Sequence, residues 1–231
     1  MKETLVSDIA KAKKTIKKDS TESSGVLFNF FVKYGKLLII FSILLLITVV
    51  SVVVFFEVQR NRINRATTLI EELEESYIDF LTSEDGLTEP VTILVDRVVN
   101  QFPNTYFHQR ALLISGLLKE NQELFFEAAE RFFSISQVQL DSHLVEIGLV
   151  RAYQNFEAAG DLESAIGALQ ELLNLRPQGI QVPRSLFNIA RLYESQANTE
   201  RALEFYQRLA IEFPASSWTN LAQARILFLQ R

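Results

Sequence analysis

The chain reads as all-α: one membrane-crossing helix followed by a solenoid of helical hairpins. Three observations predict this. Leu37 to Phe56 (LLIIFSILLLITVVSVVVFF) is a run of twenty residues without a charge, a proline or a glycine. After it come helical patterns of roughly a dozen residues separated by short polar breaks, and no β-branched runs bounded by turns. Finally, four turn positions, Pro103, Leu140, Pro177 and Pro214, follow one another at intervals of 37 residues. A fixed period of that size marks stacked helical units.

Residues 1–36 form a lysine-rich tail and an interfacial belt. Eight lysines stand against four acids there, a net charge of +4. Leu5, Ile9, Ala12 and Ile16 are spaced like one helix face, but the composition favours a solvated, partly disordered tail. Ser20 to Gly25 reads as a flexible linker. Phe28, Phe30, Phe31, Lys33, Tyr34 and Lys36 then give the aromatic and basic anchors expected at a membrane interface.

Residues 37–56 are predicted to span the bilayer. At about 1.5 Å per residue, twenty helical residues cover roughly 30 Å, the thickness of the hydrocarbon core. The run is too long for the apolar core of a cleaved signal peptide, and no small-residue cleavage site follows it. Lysine-rich flanks stay in the cytoplasm, so the N-terminus is expected there. Residues 57–231, with fifteen basic and twenty-four acidic side chains for a net −9, are expected outside the cytoplasm, in the periplasm of an inner-membrane protein.

The 57–231 domain is long enough for one core and holds no cysteine. Glu57 to Leu81 keeps helical periodicity, with Leu69, Ile70, Leu73, Tyr77 and Phe80 opposite Glu71, Glu72, Glu74 and Glu75. Ser83 to Glu89 is a turn, and Pro90 suits a helix start. About four helix pairs follow from the period. A small residue opens each second helix (Val91, Ala129, Ala165, Ala202), and a large one stands four places on (Val95, Phe133, Leu169, Tyr206). The first helix of the 141–177 copy is expected to be a turn longer, making the stack irregular. Residues 215–231 form a capping helix whose buried stripe is expected to be Trp218, Leu221, Ala222, Ile226 and Leu227.

The small residues Ala190 and Ala202, the tyrosines Tyr193 and Tyr206 and the closing Pro214 resemble the tetratricopeptide (TPR) pattern, although the period is 37 rather than 34. In such repeats the place of Arg151 and Arg191, two residues before Tyr153 and Tyr193, faces the binding groove. The resemblance therefore implies a partner-binding groove of Arg151, Asn155, Arg184, Asn188, Arg191 and Glu194. A polar clamp on a partner's carboxylates is one expectation; arginines paired with acids of their own surface is the other.

No catalytic or cofactor motif is present. Phosphate loops and nucleophile motifs are absent, and the acidic, lysine-poor solenoid argues against nucleic acid. His108 and His143 stand 35 residues apart near equivalent repeat points, but without a cysteine or carboxylate at ligand spacing they read as ordinary helix-surface histidines. The protein is expected to be a non-enzyme with no cofactor, metal or small-molecule substrate.

Phe30-Phe31-Val32-Lys33-Tyr34-Gly35-Lys36 leading directly into the apolar run, Asn104-Thr105-Tyr106, and Asn121-Gln122-Glu123-Leu124 before Ala128-Ala129 together resemble the YfgM-type inner-membrane TPR-like proteins. That resemblance implies an accessory subunit of the SecYEG translocon, working beside periplasmic chaperones such as a PpiD-like prolyl isomerase. The alternative is a scaffold of envelope biogenesis or cell division that holds one fixed protein partner.

Overall fold

A computed structural model describes the backbone of residues 2–83 and 86–231, and the side chains of 32–37, 39–83 and 86–231. The fold is all-α with TPR-like helical repeats, and among the described residues there is no strand. Contacts divide the chain into two units, Met1–Arg62 and Ile63–Arg231.

The first unit holds most of helix α1 (Lys2–Thr82). Ser20 to Gly25, expected to be a linker, lies inside this helix, as does the tail expected to be partly disordered. No proline interrupts that stretch, and a single glycine costs a helix only about 1 kcal/mol. Side chains of the predicted Leu5–Ile16 face and of Phe28, Phe30 and Phe31 lie outside the described residues. Leu37 and Ile39 to Phe56 are exposed throughout. The segment's mean hydropathy of 3.2 makes α1 long and apolar enough to cross a membrane. Thr48 Oγ1 donates back to the Leu44 carbonyl at 2.9 Å, so its hydroxyl is satisfied within the helix.

The second unit begins with the end of α1 and continues through α2 (Thr88–Gln101), α3 (Tyr106–Asn121), α4 (Phe125–Gln137), α5 (His143–Ala158), α6 (Leu162–Leu175), α7 (Val182–Ser195), α8 (Thr199–Glu212) and α9 (Ser217–Leu229). In the predicted turn Ser83–Glu89, Glu84 and Asp85 lie outside the described residues. Pro90 sits in the first turn of α2, where its missing N–H has no helical partner to lose.

Three helix pairs, α3/α4, α5/α6 and α7/α8, turn on the same local chemistry, and there the 37-residue period is kept residue by residue. Glu123, Gly160 and Ala197 all have positive φ, at 59°, 81° and 56°. The next residues, Leu124, Asp161 and Asn198, donate their N–H to the carbonyls of Lys119, Phe156 and Tyr193. This left-handed closure ends the first helix and turns the chain into the second. Asp161 and Asn198 then cap α6 and α8 by accepting from Ser164 N and Arg201 N. Hydrogen bonds from Ser164 hold the Asp161 carboxyl below its usual range.

Between pairs, Thr105, Ser142 and Ser216 cap α3, α5 and α9. The equivalent third position is Gly179, which has no side chain to cap with, and α7 starts late at Val182. This accounts for the unequal helix lengths: α3 and α5 have 16 residues and α7 has 14. The helix expected to be one turn longer therefore matches α3, and α7 is the short one.

The core corrects the register of the second copy. Val91, Ala128, Ala165 and Ala202 are fully buried, as are Val98, Ile135, Leu172 and Leu209. The large residue of the second pair is Phe132, fully buried, whereas Phe133, expected there as the partner of Ala129, is only half-buried. Ala128 and Phe132 restore an unbroken interval of 37 with Val91/Val95, Ala165/Leu169 and Ala202/Tyr206. Phe132 fits because α3 carries Gly116 opposite it: a Cβ there would lie 2.5 Å from the ring. A Cβ on Gly148 of α5 would meet the Phe132 carbonyl at 2.7 Å. Glycine at both places lets α4 settle between α3 and α5.

Where the Pro103 register carries Leu140, another device holds the turn. Gln109 is fully buried; its Nε2 donates to the Leu140 carbonyl at 2.8 Å, and its Oε1 accepts from Ser142 Oγ at 2.6 Å. The α9 stripe is also corrected. Ala222 and Thr219 are buried and Trp218, Ile226 and Leu229 pack against the core, but Leu221 and Leu227 are exposed at 52% and 66%. A terminal helix has one packed side, and both leucines fall off it.

Candidate functional site

The first helices of the pairs carry a ladder of ion pairs. Each pair joins an arginine of one first helix to a glutamate of the preceding one, and Glu120, Glu157 and Glu194 each stand one residue before the end of their helix. Arg110 of α3 pairs with Glu74 of α1. Arg151 Nη1 of α5 lies 3.1 Å and 3.2 Å from the two carboxylate oxygens of Glu120 on α3. Arg191 of α7 makes a two-point contact with Glu157 of α5, at 2.6 Å and 2.7 Å. Arg225 of α9 donates through Nε at 3.2 Å and through Nη2 to Glu194 of α7.

The glutamates follow the repeat: Glu120, Glu157 and Glu194 are 37 residues apart. Arg151 and Arg225 share one register, whose middle position is Asn188. Arg191 stands three residues further on and reaches its glutamate from the next place on α7. Arg151 and Arg191, equated in the sequence through Tyr153 and Tyr193, are therefore not equivalent. Buried Ala152 and Tyr153 correspond to buried Ile189 and Ala190.

The predicted groove residues separate by environment. Asn155 is buried and donates to the Arg151 carbonyl at 3.0 Å, within its own helix. Asn188 is buried and donates to the Tyr153 hydroxyl at 3.3 Å, joining α7 to α5. Glu194 accepts from Tyr206 Oη at 3.1 Å as well as from Arg225. Arg184 lies in the register of Arg110, Ile147 and Leu221, half-buried, and forms no ion pair among the described residues. Sequence reasoning missed Glu120, Glu157 and Arg225; the recurrence of glutamate every 37 residues was the available signal.

Electrostatics follow from these contacts. The hydrogen bonds that Arg191 donates to Glu157 raise the pKa of its guanidinium, against partial burial. Burial pushes the Tyr206 hydroxyl up, and nearby Arg191 opposes this. Burial also pushes Tyr77 up, with Glu120 adding to the rise.

At the C-terminal end of the ladder, Phe187, Arg191, Glu194, Ser195, Tyr206 and Arg225 line an open concavity of about 380 Å³. The Phe187 ring sits 5.4 Å from Tyr206 and 5.3 Å from Trp218 between centroids. The Arg225 guanidinium lies 4.8 Å over Phe228, which is exposed.

The two histidines have separate surroundings. His143 packs against the Tyr106 ring at 5.9 Å. His108 has its Nδ1 buried without a partner, and burial lowers its pKa. Among the described residues no group of three or more His, Cys, Asp or Glu side chains is placed to hold a metal.

This architecture is a TPR-like helical-repeat scaffold. Residues 184–216, which cover α7 from its third residue, all of α8 and the turn after it, match the tetratricopeptide repeat family. The chain is similar in fold to a tetratricopeptide repeat protein from Parabacteroides merdae, with TM-score 0.51 and 18% identity. That likeness covers 71% of this chain and 60% of the Parabacteroides chain. A putative kinesin light chain from Podosopora anserina, with nearly identical TPR-like repeats, is similar at TM-score 0.48 and 13% identity, over 71% of this chain and 85% of that one. No curated protein sequence matches the chain.

Proposed function

We propose that the chain is a non-enzymatic, membrane-anchored scaffold whose TPR-like domain holds protein segments on the face of its first helices. The observation that carries this reading is the exposed apolar and aromatic surface beside the ladder, around Phe187, Leu221 and Phe228. Aromatic side chains and arginines together are what partner anchors use. The fully exposed apolar run of α1 supports a single-pass anchor, because side chains facing lipid need no protein partner. The lysine excess before Leu37 supports a cytoplasmic N-terminus and a periplasmic repeat domain.

In the finer reading, the protein is an accessory factor of the SecYEG translocon that links it to periplasmic chaperones such as a PpiD-like prolyl isomerase. The support is the resemblance of residues 30–36, 104–106 and 121–129 to the YfgM-type proteins. Purification of the intact protein from membranes in mild detergent tests it. SecY and a PpiD-like partner are expected to co-purify. Recovery of outer-membrane assembly or division proteins in their place would favour the fixed-partner scaffold.

A further inference from the structure

Every arginine bordering the concavity between α7, α8 and α9 already holds a glutamate of its own chain. We infer that the Arg–Glu ladder makes this face selective for uncharged apolar segments and closes it to acidic ones, with Glu157 and Glu194 as the residues that set the selectivity. The inference rests on the first-helix face being the binding face.

Charge is the first consideration. The 57–231 domain has a net charge of −9, yet at this end of the ladder Arg191 and Arg225 are matched one to one by Glu157 and Glu194. A carboxylate arriving at Arg191 finds both Nη atoms occupied at 2.6 Å and 2.7 Å. It must displace Glu157, leaving that group without its cation, or sit beside it as a like charge; either course opposes binding. Arg225 presents the same choice, because Glu194 takes both its Nε and Nη2 and also accepts from Tyr206. A basic segment meets glutamates that are equally engaged. Arg184, which has no such partner among the described residues, is seven residues before Arg191, about 10 Å along α7.

What remains open between the pairs is apolar. Leu221 and Phe228 are 52% and 60% exposed, and the Phe187 and Trp218 rings are only partly covered. The cavity of about 380 Å³ beside them is within the size range of pockets that take the apolar groups of a ligand. Removing partner leucine or phenylalanine surface from water is worth roughly 25 cal/mol per Å² and needs no charge on the partner. The occupant that fits is therefore an uncharged peptide segment with leucine or phenylalanine side chains.

Trp218 is the one tryptophan of the chain and lies on this surface, so its fluorescence reports occupancy directly. The test uses the full chain in phosphatidylcholine vesicles and three end-capped ten-residue peptides. All carry the same leucines and phenylalanines, with serine, glutamate or lysine between them; titrations of empty vesicles are subtracted. The serine peptide is expected to shift Trp218 emission saturably, and the glutamate and lysine peptides to bind ~3- to 10-fold more weakly, as expected when one or two water-screened ion pairs must be surrendered. Leu221→Asp/Phe228→Asp, at exposed positions, should abolish the serine-peptide signal with the helical circular dichroism unchanged. Glu157→Gln/Glu194→Gln should strengthen glutamate-peptide binding ~3- to 10-fold. Glutamate- or lysine-peptide binding equal to that of the serine peptide overturns the inference and leaves the binding face in place. So does a glutamate peptide indifferent to the two Gln changes. Failure of all three peptides to bind overturns both the inference and the binding face.

Discussion

Arg191 and Glu157 face each other from α7 and α5 in a two-point contact that joins residues 34 apart in the chain. Their side chains are 40% and 31% exposed, so water screens the pair. A double-mutant cycle with Arg191→Ala and Glu157→Ala, followed by urea unfolding, is expected to give a coupling of about 0.5–1 kcal/mol. The ladder is thus expected to contribute little stability. A coupling above about 3 kcal/mol would contradict that expectation.

The turn positions 123, 160 and 197 share a left-handed backbone, but only one is glycine. Ala197→Gly is expected to raise stability by about 0.5–1 kcal/mol, because the left-handed conformation burdens any residue with a Cβ. Gly160→Ala should lower it by about 1–2 kcal/mol. Denaturant midpoints measure both; a destabilising Ala197→Gly would show that the turn is held in another way.

The packing of Phe132 against Gly116 predicts the order of effects in the core. Gly116→Ala places a methyl 2.5 Å from the ring and should cost about 1–3 kcal/mol. Phe132→Ala should cost about 3–5 kcal/mol, and Phe133→Ala clearly less. Thermal unfolding of the three variants checks this; the reverse order for the two phenylalanines would restore the register with Ala129.

Much of this fold was legible in the sequence. The apolar run and the proline turns are strong local signals, and Ala190 and Ala202 are fully buried, as the repeat demanded. The second copy misled because Ala128-Ala129 and Phe132-Phe133 each offer two neighbouring choices, and only the packing onto Gly116 separates them. Leu221 and Leu227 look like core leucines by type; which side of a terminal helix is covered depends on a neighbour the pattern does not reveal. Arg151 and Arg191 were visible as candidates, but their partners come from other repeats, 31 and 34 residues away. No local window holds both members of such a pair.

His108 links stability to pH. Burial lowers its folded pKa below the ordinary 6.5, so the unfolded chain binds its proton more readily. The contribution is complete above that ordinary value and is lost as pH falls through the lowered folded pKa. Between pH 7.5 and 5.5, urea unfolding should show wild-type stability falling with pH more steeply than in His108→Gln. Identical slopes would place His108 in an environment that does not disfavour its charge.

The central claim is that the first-helix face takes the partner. A photo-crosslinking amino acid at Leu221, beside the ladder, or at Ile211 on α8, both exposed, separates the two surfaces in intact membranes. The account predicts partner adducts from position 221 and few from position 211. Adducts from position 211 with none from 221 would contradict it.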